Sequence, residues 1–283
     1  MMIGSCASLQ VGAVLAARLF PTAGAMGATL LRLALAAVVL LVITRPRLRG
    51  WSGVRWRGAV LFGFCLACMN GFFYAAIERV PLGVAVTVEF LGPLTMAALL
   101  SRRVGDLAWI LLAAGGVAVL GWPGEGAGLD PVGIVFALVA GVFWALYVLT
   151  GAKAAAEPGQ GGLAVAMGVA AVAVLPLGAH GAGQVVGEPR LVVVAVGAAV
   201  LASVVPYTLQ VSALRRLSAP VFGVLLSLEP AVATLAGWLL LSQDVGPVAV
   251  AAIAVVVLAS VGSTVFAAPR RVEPVADRYR PEA

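Results

Sequence analysis

Charge is what this chain has least of. Of its 283 residues only 11% are Asp, Glu, Lys or Arg and 62% are hydrophobic, whereas a soluble domain carries roughly a quarter charged. With a mean hydropathy of +1.09, the surplus apolar surface must face lipid. Histidine is scarcer still: His180 stands alone at a span end, leaving no Ser-His arrangement or metal triad on which to build an enzyme. The three cysteines, Cys6, Cys65 and Cys68, lie inside apolar runs and imply no disulfide framework. Cys65 and Cys68 spell C-x-x-C, but no further cysteine or histidine stands near to complete a metal site, so all three read as small helix-packing residues. No cofactor is implied. A Walker motif and a soluble ATPase domain are also missing, so any transport must run on an ion gradient. The first apolar run starts almost at Met1 without the charged opening of a cleaved signal peptide.

What is present is a succession of long apolar runs. Read between punctuating charges, prolines and glycines, they give ten candidate spans near 2–19, 23–44, 57–78, 82–101, 106–122, 131–150, 161–180, 190–213, 218–241 and 246–267. Each is about the 17 to 25 residues that a bilayer-crossing helix needs. No run shows the period-2 alternation of a membrane barrel, so the fold class is an all-α membrane protein with ten transmembrane helices.

The basic residues set the orientation. With a cytoplasmic N-terminus, fourteen fall inside: Arg45, Arg47, Arg49, Arg55, Arg57, Arg102, Arg103, Lys153, Arg215, Arg216, Arg270, Arg271, Arg278 and Arg280. Two, Arg79 and Arg190, fall outside. The positive-inside rule therefore puts both termini in the cytoplasm. The pI near 9.9 reflects these clusters between spans; they are not interleaved with aromatics, so no nucleic-acid partner is expected.

A displacement of 137 positions aligns Pro93 with Pro230, Ala76-Ile77 with Ala213-Leu214, Arg79 with Arg216 and Gly4 with Gly141. Five spans per half is an odd number, so the halves must be inverted repeats, as in many transporters. The expected organisation is one five-helix repeat over 1–123, a second over 131–267, and a disordered cytoplasmic tail over 268–283 with a polybasic start.

Several stretches carry a family resemblance: "LFPTAGAMGATLLRLALA" at 19–36, "MNGFFYAAIERVPLGVAVTVEFLGPL" at 69–94, "LSRR" at 100–103, "GVFWALYVLTGAKAAAE" at 141–157, "VPYTLQVSALRRL" at 205–217 and "LLSLEPAVATLAGWLLL" at 225–241. With a Glu-Pro motif in the ninth span, the chain resembles the EamA branch of the drug/metabolite transporter superfamily. Within that branch the likeness is to the threonine/homoserine exporters of bacterial inner membranes, and it runs over nearly the whole chain. It departs at the front, where those exporters carry a longer, more polar lead-in. The resemblance implies export of small neutral amino acids from the cytoplasm, driven by proton antiport.

Ionisable groups inside the spans are few: Arg32, Glu89 and Glu229, with Arg18 close enough to a span end to snorkel. Charges at such depth face the bundle interior and mark a pathway or a pair. Arg32 lies about nine residues, and Glu89 about seven, from the outer ends of their spans, so at about 1.5 Å per residue their depths nearly match. Two readings stand. In one, Arg32 holds a substrate carboxylate with its planar fork, and Glu89 takes the ammonium group or a proton. In the other, the two form a structural ion pair between spans 2 and 4. Glu229, just before the helix-breaking Pro230, is the candidate proton carrier, against a plain hydrogen-bonded carboxyl. Pro93 puts a comparable break in span 4.

Asn70 with Tyr74, Trp144 with Tyr147, and Tyr207 with Gln210 share helix faces, and Gln10 is the lone amide of span 1. Gln10, Asn70, Tyr74, Tyr147 and Tyr207 are candidate substrate contacts, set against ordinary packing for Trp144 and an interfacial aromatic belt for Tyr207. A non-transporting sensor or scaffold would account for the hydrophobicity and leave the paired carboxylates unexplained. The expected partners are a small-molecule substrate, protons and the lipid bilayer.

Overall fold

The computed structural model describes residues 2–101, 104–120, 129–155, 161–206, 209 and 225–265. Among the described residues all regular structure is helical, as a bilayer demands, because it offers no water to satisfy an open backbone. In chain order the helices are α1 (Met2–Ala17), α2 (Phe20–Thr44), α3 (Gly53–Ile77), α4 (Leu82–Glu89), α5 (Leu91–Ser101) and α6 (Val104–Leu120). They continue with α7 (Pro131–Ala155), α8 (Gly161–Val186), α9 (Pro189–Ala199), a π turn at Val200–Val204, α10 (Glu229–Leu241) and α11 (Pro247–Val265). Five of these, α2, α3, α7, α8 and α11, contain stretches of 19 to 26 residues long and apolar enough to cross a membrane alone. Five shorter apolar segments, 3–17, 82–96, 107–119, 189–204 and 229–241, fall on the remaining candidate spans. Outward-facing side chains such as Val172, Leu177 and Val193 supply the lipid-facing surface.

The boundaries differ from the expected ones where local chemistry intervenes. Helix α3 starts at Gly53 because the Ser52 hydroxyl caps it, accepting the Arg55 N–H at 3.2 Å. Helix α8 continues through Pro176 to Val186 and stops only at Gly187-Glu188-Pro189. The tail at 268–283 and the loop arginines Arg102, Arg103, Arg215 and Arg216 lie outside the described residues.

Two irregularities shape the interior. Helix α2 joins a short turn to its main body across Gly24, whose φ of 64° and ψ of 172° suit only glycine. Span 4 is broken at Phe90 between α4 and α5. Pro93 has no N–H to offer the Glu89 carbonyl, which rests against Gly141 of α7. Hydroxyls inside the helices bond backward: Thr29, Thr87 and the half-buried Thr234 each donate to the carbonyl four residues earlier, at 2.6–2.8 Å.

Helix α2 packs along α8, α3 along α7 and α8, α6 along α11, and α4 along α10; α1 lies against α9, the π turn and α10. Without a hydrophobic drive inside lipid, such pairs depend on close backbone approach. A Cβ at Gly92 would strike the Gly141 backbone, and one at Gly181 the Ala23 backbone. Gly92→Ala should therefore cost about 1–3 kcal/mol by overpacking, lowering the thermal midpoint in detergent. Gly58, with open space around its Cβ position, should tolerate alanine without loss.

One end of the bundle is stitched by polar side chains. Arg79 Nη1 meets Asp130 Oδ2 at 2.8 Å, and Asp130 Oδ1 accepts the Val132 N–H that opens α7. The Gln243 side chain caps α4 from the α10–α11 connection, Oε1 accepting the Leu82 N–H at 2.9 Å. The hydrogen bond from Arg79, joined by that from Val132, holds the Asp130 carboxyl below the usual aspartate range. Its contribution is thus complete above the unfolded value of about 3.9 and is lost as pH falls through the lower folded value. Thermal midpoints taken across that acid range should fall more steeply for the wild type than for Asp130→Asn.

Candidate functional site

Among the described residues, three buried side chains carry polar atoms with no hydrogen-bond partner: Gln10 Oε1, Arg32 Nε and Tyr74 Oη. They come from α1, α2 and α3, and all three are among the residues singled out in the sequence. A buried polar group left unmet costs roughly 1–3 kcal/mol, so such atoms inside a membrane bundle mark a place suited to a polar ligand.

Arg32 is the centre of the group. It is 6% exposed, and its guanidinium lies over the Tyr74 ring, 5.0 Å from the centroid, a contact worth about 0.5–2 kcal/mol. Nη1 donates to the Ala202 carbonyl at 3.4 Å and to the Ser203 hydroxyl at 3.5 Å. Among the described residues Arg32 makes no ion pair with Glu89, so the structural-pair arrangement is absent from this conformation. Tyr74 also meets the Phe20 ring edge-on at 5.9 Å, fixing it between the turn before Gly24 and the guanidinium.

Both span carboxylates are buried, Glu89 at 8% exposure and Glu229 at 3%. Glu89 lies within electrostatic reach of Glu229 and Arg32. Glu89 ends α4 while Glu229 opens α10, where the positive end of the helix dipole favours a carboxylate. The Cys6 thiol of α1 faces Glu229 Oε1 at 4.0 Å. Ser227, in the turn before Glu229, shares a 2.7 Å hydrogen bond with Ser260 of α11.

The remaining candidates divide. Asn70 is buried one turn before Tyr74 on α3 and donates from Nδ2 to the Leu66 carbonyl at 2.7 Å. Gln10 is 2% exposed and one turn beyond Cys6 on the same face of α1. Tyr147 stacks on Phe62 at 4.8 Å, and Phe62 lies about 12 Å earlier along α3 than Asn70, which sets Tyr147 apart from the Arg32 group. Trp144 packs edge-on against Phe90 at the break in span 4. Tyr207 and Gln210 lie outside the described residues. No group of three or more His, Cys, Asp or Glu side chains among the described residues could hold a metal.

Sequence reasoning missed Ser5, Ser8, Ser203 and Pro206. Ser8 donates to the Leu201 carbonyl at 2.8 Å and Ser5 to the Pro206 carbonyl at 3.2 Å, tying α1 to the irregular end of span 8. The signal was there in Pro206, which, like Pro93 and Pro230, removes a backbone N–H from its span.

A family model for EamA-like transporters matches residues 131–265. The threonine/homoserine exporter RhtA of Escherichia coli (strain K12) is 38% identical over 264 residues, covering 93% of this chain and 90% of that protein. Its namesake from Salmonella typhimurium (strain SL1344) is 39% identical over 258 residues, with 91% and 88% covered. A chain of known crystal structure superposes with a TM-score of 0.55 over 95% of this chain and 99% of its own, at 21% identity, a likeness of fold alone. With identity of this level along nine-tenths of the sequence, and an all-helical bundle to match, the chain belongs to the EamA-like transporter family.

Proposed function

We propose that this chain is a secondary transporter that exports small neutral amino acids, threonine and homoserine among them, across the bacterial inner membrane by proton antiport. The observation that carries this reading is the buried guanidinium of Arg32, paired with no carboxylate among the described residues and with its Nε unmet. A group built to receive a carboxylate, held over an aromatic ring, suits the one feature shared by all amino acids. Tyr74 Oη and Gln10 Oε1 offer a donor-acceptor and an acceptor to the hydroxyl or ammonium, and Asn70 a further amide. Glu89 takes the ammonium group or a proton in its place, and Glu229 carries the proton. The names of the two bacterial relatives support the substrate class.

Alternating access would come from two inverted five-helix repeats, 1–123 and 131–267. The packing supports this: exchanging each span for the one five places along turns the α3/α7 contact into α9/α1, and α4/α7 into α10/α1. It also maps α2/α8, α4/α10 and α6/α11 onto themselves. The family model's match to 131–265 alone, the length of one repeat, agrees with a duplicated unit. Both termini are assigned to the cytoplasm by the arginine distribution.

A counterflow screen in proteoliposomes tests the reading. Threonine and homoserine should exchange with labelled threonine, whereas amino alcohols lacking the carboxylate should not. Exchange that proceeds equally well with those alcohols would remove the role given to Arg32.

A further inference from the structure

The π turn in span 8 is chemically tied to Arg32. Pro206 has no N–H, so the Ala202 carbonyl, four residues earlier, cannot close an α-helical bond. The chain answers with a π turn at Val200–Val204, in which the Val205 N–H bonds to the Val200 carbonyl. That shift also leaves the Leu201 carbonyl without its ordinary partner. Both freed acceptors are met from other helices: Leu201 by the Ser8 hydroxyl of α1 and Ala202 by Nη1 of Arg32. The Ser203 hydroxyl, from the same turn, accepts from Nη1 as well. Close backbone approach keeps the turn in place, since a Cβ at Gly12 of α1 would collide with Ala202.

This arrangement uses one side of the guanidinium and leaves the other free. Nη1 is held by span 8, the face lies on Tyr74, and Nε has no partner. Among the described residues Nη2 makes no hydrogen bond either. Nε and Nη2 form the edge opposite Nη1, and two parallel N–H groups on one edge match the two oxygens of a carboxylate. π turns of this kind recur at functional sites.

We propose that the π turn set by Pro206 is the positioning device for Arg32: the Ala202 carbonyl and the Ser203 hydroxyl fix Nη1 so that the Nε/Nη2 edge faces the substrate carboxylate. Pro206 and Ser203 are positioning residues that act through Arg32 without touching substrate. The inference rests on the carboxylate-binding role given to Arg32 above.

Pro206→Ala restores the missing N–H and lets the Ala202 carbonyl return to an α-helical bond, withdrawing it from Arg32. Ser203→Ala is the milder change, removing only the hydroxyl. Both are compared with wild type and Arg32→Lys by threonine counterflow in proteoliposomes, reading half-saturation concentration and maximal rate separately. Pro206→Ala should raise half-saturation about tenfold, the scale of one hydrogen bond to a charged group, and Ser203→Ala by less, with maximal rates retained. Added to Arg32→Lys, neither should raise it further, because the group being aimed is already gone. Wild-type half-saturation in both variants, or penalties that add fully to that of Arg32→Lys, would overturn the positioning role. So would a loss confined to maximal rate, as expected of mere structural damage. If Arg32→Lys itself leaves half-saturation unchanged, the fault lies with the carboxylate-binding reading.

Discussion

Arg32→Lys is expected to raise the half-saturation concentration for threonine counterflow by roughly 10- to 150-fold, equivalent to about 1.5–3 kcal/mol for a hydrogen bond to a charged group. Lysine keeps the positive charge and loses the planar fork. It cannot keep one nitrogen on the Ala202 carbonyl and Ser203 hydroxyl while offering two more to a carboxylate, as the proposed role of the guanidinium requires. It also gives up the flat stack on Tyr74. A purely electrostatic role for Arg32 would leave the lysine variant near wild type. Measuring half-saturation for both, with thermal midpoints alongside, decides between them.

The two carboxylates are expected to fail in different ways. Glu229→Gln should abolish accumulation driven by a proton gradient, because an amide carries no exchangeable charge, yet retain counterflow, which needs no net proton movement. Glu89→Gln should lose both, as the side chain nearer Arg32 that the substrate ammonium would meet. This division follows from placement. Glu89 closes α4 within reach of Arg32, whereas Glu229 opens α10 beside Cys6. Both variants should lose gradient-driven accumulation completely, so the contrast between them is read in counterflow alone. Identical behaviour in both assays would mean that the carboxylates share one task.

Much of this arrangement was legible in the sequence, for a physical reason. In lipid each helix must satisfy its own backbone, so spans are written as apolar runs, and a buried charge stands out against them. Arg32, Glu89 and Glu229 announce themselves in this way, and Gln10, Asn70 and Tyr74 by being the odd polar residue on an apolar face. Pro93 likewise marks the break found at Phe90. The sequence does not disclose which polar atoms stay unpaired, since that depends on how helices are rotated against one another. Tyr147 shows the difficulty: it has the same helical spacing as Trp144 and turns out to stack on Phe62. The π turn was hidden for another reason. Pro206 signals a freed carbonyl, but only the packed structure shows that Arg32, 170 residues away in sequence, is what meets it.

The proposed proton-coupled movement of threonine through these carboxylates is tested most directly by removing both. Wild-type protein and the Glu89→Gln/Glu229→Gln double variant are reconstituted in vesicles with an acidic lumen, and uptake of labelled threonine is followed as protons leave. Accumulation above the bath concentration is expected with the wild type, and only the protein-free leak with the double variant. Equal accumulation in the two preparations would contradict that coupling.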